Sequence, residues 1–472
     1  METVSNSIED KLLDGLSYKL DGTASYITER KSSTYWAVGS NIYAPNAGTK
    51  VIKMVLNGEG WLDPATVKIQ FDVHNLDGTH PLRTLSGPWS FFRRLRVLCQ
   101  GQLIEDIDGY NLVHQMFDVL QSKHMRENQT VEGFGISYDS DYGKDLIENP
   151  LIRAEDGDIL KDRFIAHYSG IYPGDTKTVC FTPLSGIVSQ GKMIPLRYCP
   201  LTFEFELCNN LYDPIISPDS PGWLPVTTES IFGPSTSFGY SRNWQIENPV
   251  IKCDVCRMDN SLENEFAQKF LSGQTIPISY STFVFQHQAL SGQSPSVNIT
   301  RALSRLKSVF CTFTGKPGTP SSFDILGTYS AMFLKEWNDF YHPMAWQHQY
   351  YSGDELEISL QIGGKKFPEY PLRSQAETYA ALKKCLGIQN SSFHSINIDP
   401  FEYRTHKYIV GIDTEKVLQA SFSGENIKNG SLLTLMMKNN SSKVENYPTA
   451  INIVMHCDCI LNIRDTGVEV LD

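Results

Sequence analysis

The sequence predicts an all-β protein made of two tandem jelly-roll β-sandwiches, a double jelly roll, with a short helix in each and long surface loops. Three observations support this class. Short segments with apolar residues at every second position recur between turns rich in proline and glycine. One order of elements (strand, glycine turn, strand, helix) occurs twice. The 472 residues also exceed the size of about 250–300 residues at which one hydrophobic core stops growing.

The strands of the first half are predicted from alternation. Apolar residues occupy every second position in 50–57, 66–74 and 95–99. The same alternation returns in Leu201–Leu207, where Thr202, Glu204 and Glu206 point away from the apolar face and Cys208 continues their pattern. A period of two indicates a strand with one face in the core and one in water.

The first repeat ends in a predicted helix. A Gln100-Gly101 turn follows the strand, and a second short strand leads to Ile104. From Tyr110 to Leu120 the apolar residues recur at helical spacing, and Asp108 is placed to cap the first turn.

The second repeat has the same order. Alternation in Leu356–Ile362 predicts a strand, and Gly363-Gly364 is its turn. The sequence Ser374-Gln-Ala-Glu377 is a capping box that predicts a helix start, and Gly387 marks the end of that helix. Because one order of elements is used twice, we expect a duplicated fold.

The two halves meet near Asp259. A strand predicted by Ile251, Cys253 and Val255 would close the first half, and a longer strand over 451–463 would close the second. A short helix is predicted over 261–273, directly after the boundary. We therefore divide the chain into three parts: an N-terminal arm (1–30), a first jelly roll (31–259) and a second jelly roll (260–472).

Two stretches of the first roll, about 126–175 and 209–243, are rich in turn residues and are predicted to be large surface loops. Loops of this length are uncommon without a function. The arm is polar with a weak amphipathic patch near Leu12. It is equally compatible with a flexible tail and with a segment that orders on a neighbouring molecule.

One stretch matches part of a phosphate-binding loop. Gly186 to Lys192 has the glycine–lysine spacing of such a loop. That loop needs Ser or Thr after the lysine and a helix beyond it, whereas Met193 and Pro195 occupy these places. The pattern favours a plain strand–turn–strand segment.

The cysteines give a weak zinc signal. Cys253 and Cys256 have zinc-like spacing, and Cys457 and Cys459 form a second close pair. A structural zinc site needs four converging ligands, but Cys253 and Cys256 would face opposite sides of a strand. With no signal peptide in the sequence, a reducing compartment is favoured, and we expect all 10 cysteines to be free thiols.

No catalytic group is predicted. Glu204 and Glu206 form a carboxylate pair on the wet face of a strand, which is an ordinary position for them. His342 and His348 are too far apart for one helix turn and flank Pro343. No zinc-protease or nucleophile-elbow motif occurs, so we expect a protein without catalytic residues, cofactor or metal.

The charge balance argues against nucleic acid as a partner. Lys and Arg total 41 against 53 Asp and Glu, a net charge of −12 at pH 7, whereas binding to nucleic acid depends on neutralising phosphates. The densest basic group, Arg93, Arg94 and Arg96, lies in a predicted strand and is expected to form ion pairs or a subunit contact. No apolar stretch approaches the ~20 residues of a transmembrane helix.

Three segments together resemble a known family: Arg94–Gln115, Cys180–Cys208 and Phe422–Asp472. In order and spacing they are similar to segments of the double jelly-roll major capsid proteins of double-stranded DNA viruses, closest to polinton-like viruses, virophages and adintoviruses. The first turn departs from the Gly-Gly pattern of the giant viruses, having Gln100-Gly101 in its place, while Gly363-Gly364 keeps it.

The resemblance implies a structural role in the virion. Three copies would form a capsomer of pseudo-hexagonal outline, and capsomers would tile an icosahedral shell assembled inside the host cell. The partners implied are the chain itself, neighbouring capsomers, and penton and minor capsid proteins. The aromatic stretch 341–351 would suit either a subunit contact or packing within the second roll.

Two alternatives remain open. A carbohydrate-binding or carbohydrate-cleaving β-sandwich protein would be a monomer or dimer with an aromatic-lined groove, and would usually carry a secretion signal. A minor capsid or penton protein of the same viruses would commonly have one roll, so the duplication counts against it.

Overall fold

The computed structural model describes five stretches of the chain, interrupted by short gaps. These stretches are 26–134, 171–215, 241–313, 356–389 and 396–471, and the gaps fall at 80–81, 83, 85, 210, 212, 242, 397, 399, 401–402, 404–406, 419, 429, 441–447 and 466. The described residues are mostly strands in antiparallel sheets, which confirms the all-β prediction.

The strands of the first half form two sheets. In chain order they are β1 Ile27–Trp36, β2 Ile42–Tyr43, β3 Val51–Leu56, β4 Trp61–Asn75, β5 Phe92–Cys99, β6 Gln102–Asp108, β7 Thr176–Phe181, β8 Ile194–Pro195, β9 Leu201–Leu207 and β10 Trp244–Met258. One sheet has the order β1-β10-β4-β7, with β2 and β8 at its margins, and the other has the order β3-β9-β5-β6. The first sheet thus has six strands and the second has four, and this alternation of the chain between two antiparallel sheets is the jelly-roll topology.

The second half repeats this order. Its strands are β11 Ile276–Ala289, β12 Ser296–Ile299, β13 Leu306–Thr312, β14 Leu356–Ile362, β15 Lys365–Leu372, β16 Ile409–Asp413, β17 Leu433–Asn439, β18 Ala450–Arg464 and β19 Gly467–Leu471. The sheets run β11-β18-β13-β16 and β12-β17-β14-β15, with β19 beside β18. Among the described strands, no sheet mixes the two halves, and each sheet in one half has a counterpart in the other.

Helices connect the strands in both halves. They are α1 Tyr110–Val119, α2 Lys123–Glu132, α3 Gly186–Ser189, α4 Asn260–Leu271 and α5 Gln375–Cys385, with a 3-10 turn at Pro88–Phe91. The helices α1 and α5 occupy equivalent places, each following the last strand of the second sheet in its roll. In the described part of the chain, no helix is long and apolar enough to cross a membrane.

The predicted alternation produces the core. In β9 the burial alternates strictly, with Leu201, Phe203, Phe205 and Leu207 fully buried. In β18 every second residue from Ile451 to Ile463 is buried, but Asn452, Val454 and Asp458 between them are buried too, so this central strand is covered on both faces over much of its length. The alternation ends with β9, however: Cys208 lies beyond the strand and is also buried, so its predicted outward position is wrong.

One helix start follows the prediction and the other does not. The Ser374 hydroxyl accepts from the Glu377 backbone N–H at 3.1 Å, which confirms the capping residue of α5. The N-cap of α1 is Gly109, in the left-handed region at φ 57°, and no side chain caps it. Asp108 is the last residue of β6, so its predicted capping role is wrong.

The segment after β7 is not a plain turn. Gly186–Ser189 forms one turn of helix, α3, which ends before Pro195. Pro195 belongs to β8 and is paired there with Trp61 of β4. The prediction of a plain strand–turn–strand segment was therefore wrong in its middle part. Pro195 would interrupt a helix that ran through it, but the helical turn α3 ends at Ser189, before the proline is reached.

Two predicted boundaries meet described residues only in part. β1 begins at Ile27, so residues 27–30 of the predicted arm pair with β10, and residues 1–25 lie outside the described residues. The predicted loop 126–175 begins inside α2, and most of it lies outside the described residues. The same holds for most of 209–243.

Candidate functional site

The stretch from Gly186 to Lys192, which has the spacing of a phosphate-binding loop, already uses backbone N–H groups to bind a carboxylate of the same chain. Glu105 of β6 accepts from the backbone N–H of Gly186 at 2.8 Å and of Ile187 at 3.3 Å. It also accepts from the Ser185 hydroxyl. A buried carboxylate in this position would repel a phosphate, so the geometry opposes the nucleotide-binding interpretation.

The carboxylate pair on β9 belongs to a surface network. Glu204 lies 3.1 Å from Arg96 and 3.7 Å from Lys53, on the two strands that flank β9. Glu206 sits between Val51 and Arg94 in the sheet register. Glu204 therefore makes cross-strand charge pairs of the kind that stabilise a sheet surface.

The arginine cluster forms ion pairs, as predicted. Arg94 donates two hydrogen bonds of 2.7 Å to Asp106 on the neighbouring strand. Arg93 lies 3.6 Å from Asp108, and Arg96 contacts Glu204. With its guanidinium groups held by carboxylates of the same sheet, the cluster has little charge left for an external phosphate.

The cysteines are all free thiols, as predicted. Cys253 and Cys256 lie in β10, and Cys457 and Cys459 lie in β18 of the other roll; all four are buried. Burial raises the pKa of Cys253 to about 12, so its thiol stays protonated, as suits a small core side chain. Among the described residues, no group of three or more His, Cys, Asp or Glu side chains could hold a metal ion.

The stretch 341–351, with His342 and His348, lies outside the described residues.

The most distinctive buried group is Glu105, at the seam where the first roll meets the second. Its side chain is 2% exposed and ties β6 to the start of α3. Burial raises the pKa of Glu105 above its ordinary value, although the hydrogen bonds from Ser185 and Gly186 act in the opposite direction. Residue Gly186 in turn touches the second roll, since a Cβ there would lie 1.9 Å from the backbone oxygen of Ser281.

Polar contacts cross the seam directly. The Tyr280 hydroxyl of β11 donates to the backbone oxygen of Ile104 in β6 at 2.9 Å. The Lys192 ammonium donates to the backbone oxygen of Pro277 at 3.1 Å. The first contact joins the edge strand β6 to β11, and the second joins the segment after α3 to the same strand of the second roll.

Aromatic rings complete the seam. Phe117 of α1 packs against Phe283 and Phe310 of the second roll, with ring centroids 4.6 and 5.4 Å apart. Phe285 packs so closely on the N-terminus of α1 that a Cβ at Gly109 would lie 2.5 Å from its ring. The seam is therefore a packed interface in which glycine is required at position 109.

A separate pocket of about 300 Å³ lies in the first roll, between α1, α2 and β7. The His114 ring lines it and stacks on Trp89, with centroids 4.1 Å apart. Burial lowers the pKa of His114 to about 4, so the ring is neutral at pH 7. Asp118 and Arg126 form a buried ion pair of 3.1 Å beside it.

The role of Glu105 was missed by sequence reasoning. Strict alternation would place either Ile104 or Glu105 outward, but both are buried. The cause is a register shift of β5 against β6 between Val97 and Leu98. A β-bulge turns one side chain towards the other face, and nothing in the local sequence predicted it.

No protein-family model and no curated protein matches the sequence. Solved structures do match. A cryo-EM structure of the Sputnik virophage is similar at a TM-score of 0.56 and 12% identity, over 98% of this chain and 92% of that chain.

Two further structures match to a similar extent. A quasi-atomic model of the PBCV-1 virus capsid gives a TM-score of 0.51 at 12% identity, over 96% of this chain and 99% of that chain. The Faustovirus major capsid protein gives 0.50 at 8% identity, over 95% and 93%. These matches span both halves and confirm the fold predicted from the sequence. The chain therefore has the double jelly-roll fold, the fold of the viral capsid structures to which it is similar.

Proposed function

We propose that this chain is a structural major capsid protein located in the virion of a double-stranded DNA virus. The observation that carries the proposal is the repetition of one strand order, first in β1–β10 and again in β11–β18, within one chain. A chain with two similar rolls presents two similar surfaces to neighbouring molecules. Such a chain suits a closed assembly of repeated contacts.

The oligomer that fits is a homotrimer. Three copies place six rolls around one axis, which gives a pseudo-hexagonal capsomer able to tile an icosahedral shell. The contacts between chains would be heterologous and would close by rotation. The division into an arm (1–30), a first roll (31–259) and a second roll (260–472) belongs to this proposal, with Asp259 as the N-cap of the connecting helix α4.

A structural rather than catalytic role is supported by how the candidate groups are used. Glu105 holds backbone donors of α3, and Glu204 pairs with Arg96 and Lys53. Groups committed to one another in this way stabilise the fold and are poorly placed for acid–base chemistry. Neighbouring capsomers, penton proteins and minor capsid proteins are the further partners proposed, with assembly inside the host cell.

The test is the mass and shape of the purified chain. Light scattering should give three times the chain mass of 53.2 kDa, and electron microscopy should show particles with three lobes. A stable monomer at high concentration would overturn the proposal. A monomer that also binds oligosaccharides on a glycan array would favour the carbohydrate-binding alternative.

A further inference from the structure

A lysine and two carboxylates meet inside the second roll. The Lys307 ammonium lies 3.4 Å from Oε1 of Glu415 and 3.8 Å from Oδ1 of Asp458. The side chains of Lys307, Glu415 and Asp458 are only 17%, 5% and 7% exposed. By contrast, Lys384 lies 2.9 Å from Asp413 but is 43% exposed. The cluster around Lys307 is therefore a set of charges held largely out of water.

A β-bulge gives Lys307 this position. Leu306 and Ser308 of β13 pair with consecutive residues of β18, so Lys307 between them is the extra residue. A bulge redirects a side chain from the face that strict alternation would give it. The loop after β16 is fastened at the same point, because the Thr414 backbone N–H donates to the Lys307 carbonyl at 2.9 Å. This hydrogen bond brings Glu415, the next residue, beside the ammonium.

The Asp458 carboxyl group is held by donors at both of its oxygens. The Ser281 hydroxyl of β11 donates to Oδ1 at 2.6 Å, and the Phe422 backbone N–H donates to Oδ2 at 2.8 Å. Donors in these places fix the carboxyl carbon and would stabilise negative charge that develops on its oxygens during attack by a nucleophile. Asp458 is thus placed as an electrophile, whereas Glu415 is placed to take up a proton from the Lys307 ammonium.

We infer that Lys307 and Asp458 become joined by an isopeptide bond that the chain forms on itself. The ammonium gives one proton to Glu415, and the lone pair of Nζ then attacks Cγ of Asp458. The Nζ–Cγ bond forms and one Cγ–O bond breaks. The departing oxygen leaves as water, with one proton returned by Glu415 and one taken from Nζ. An ammonium and a carboxylate are thereby converted into a neutral amide and water, and no other reactant is needed.

Burial and proximity both favour this condensation. Charges held out of water carry a desolvation cost, and forming the amide removes two of them. Groups held together by a fold react as if at an effective concentration of about 10⁵–10⁸ M, provided that the reacting atoms come within about 3–3.5 Å. Because Nζ of Lys307 lies 3.8 Å from Oδ1 of Asp458, a small movement of the lysine side chain is enough. The bond would tie β13 to β18 covalently, whatever the oligomeric state of the chain.

The first experiment is intact-mass spectrometry of the full chain, purified in its folded form and denatured for the measurement. We expect a mass lower than the sequence requires by one water molecule. A tryptic digest should show no cleavage after Lys307 and should contain a branched peptide in which Lys307 is joined to Asp458. A chain with the full sequence mass would overturn the inference. So would a loss of water without this branched peptide, or a branch from Lys307 to Glu415.

The second experiment compares variants by the same measurement. Lys307→Arg keeps a positive charge on a group that is not deprotonated in proteins, and Glu415→Gln keeps the shape but cannot take up the proton. We expect both variants to have the full mass that their sequences require. Lys384→Arg is the matched control and should still lose one water, because its ammonium is half-exposed beside Asp413. A Lys307→Arg chain that loses water would overturn the bond, and a Glu415→Gln chain that loses it would overturn the role of Glu415. If a variant does not fold, the branched peptide of the unmodified chain decides the matter.

Discussion

The Tyr280 hydroxyl donates a hydrogen bond of 2.9 Å to the backbone oxygen of Ile104, across the seam between two rolls that share no sheet. Tyr280 is 4% exposed, so its hydroxyl has little access to water as an alternative partner. Burial also raises the pKa of Tyr280, which keeps the hydroxyl protonated and able to donate. The contact therefore ties the position of one roll to that of the other.

Replacing this hydroxyl should loosen the seam. Tyr280→Phe keeps the ring but leaves the Ile104 carbonyl without this donor, which costs about 1–3 kcal/mol for a buried polar group. We expect a lower melting temperature by differential scanning calorimetry. Tyr172→Phe is the matched control, since Tyr172 is 57% exposed and should melt like the unmodified chain. Equal melting of both variants would contradict a role for this bond.

Glu105 should give the seam an unusual pH dependence. Because burial raises the pKa of Glu105 above its ordinary 4.5, the folded state holds this proton more tightly than the unfolded state. Its contribution to stability is therefore full below pH 4.5 and falls as the pH rises through the folded pKa. The nearby titratable groups are Tyr110 and Tyr280, which stay neutral over this range.

Two substitutions test this. Glu105→Gln keeps an acceptor for Gly186 but carries no charge, so we expect its melting temperature to rise relative to the unmodified chain as the pH increases from 4.5. Glu105→Ala leaves the N–H groups of Gly186 and Ile187 unpaired, which costs about 1–3 kcal/mol each, and it should melt lower at every pH. A Gln variant that follows the unmodified chain over the whole range would disprove the assigned titration.

The sequence predicted the features that depend on neighbouring residues, but not those that depend on residues far apart in the chain. The alternation of Leu201–Leu207 and the cap at Ser374 depend on residues close together in the chain, and both were predicted. The burial of Glu105 depends on residues about eighty positions later, at Ser185 to Ile187, and on a bulge. Distant partners of this kind leave no local periodicity, so the seam was not predicted.

His114 should make the first roll sensitive to acid. The unfolded imidazole takes up a proton near pH 6.5, whereas burial lowers the folded pKa to about 4. The stability from neutral His114 is therefore present above pH 6.5 and is lost as the pH falls towards 4. Lys68, Asp118, Glu132 and Cys180 line the same pocket, Tyr110 packs against the ring at 5.7 Å between centroids, and Arg126 pairs with Asp118.

The substitution His114→Phe keeps a ring beside Trp89 but cannot take up a proton. We expect thermal unfolding between pH 4 and 6.5 to depend less on pH in this variant than in the unmodified chain. Some dependence should remain, because burial lowers the pKa of His456 to about 4 as well. A variant with an unchanged slope would show that the His114 ring is protonated in the folded state at these pH values.

Substituting Gly109 tests the packing at the seam, and Gly101 serves as the matched control. Gly109 and Gly101 both have positive φ, 57° and 84°, so alanine costs about 1–2 kcal/mol of backbone strain at either. A Cβ at 101 meets nothing within 4 Å, whereas one at 109 would lie 2.5 Å from the Phe285 ring. Overpacking adds about 1–3 kcal/mol, so Gly109→Ala should melt clearly below Gly101→Ala. Phe285→Ala removes the clash but also loses packing, so it serves as the background of a double-mutant cycle: Gly109→Ala should cost less stability in a Phe285→Ala chain than in the unmodified chain. If both alanine variants melt alike, the two rolls are not held together at this point.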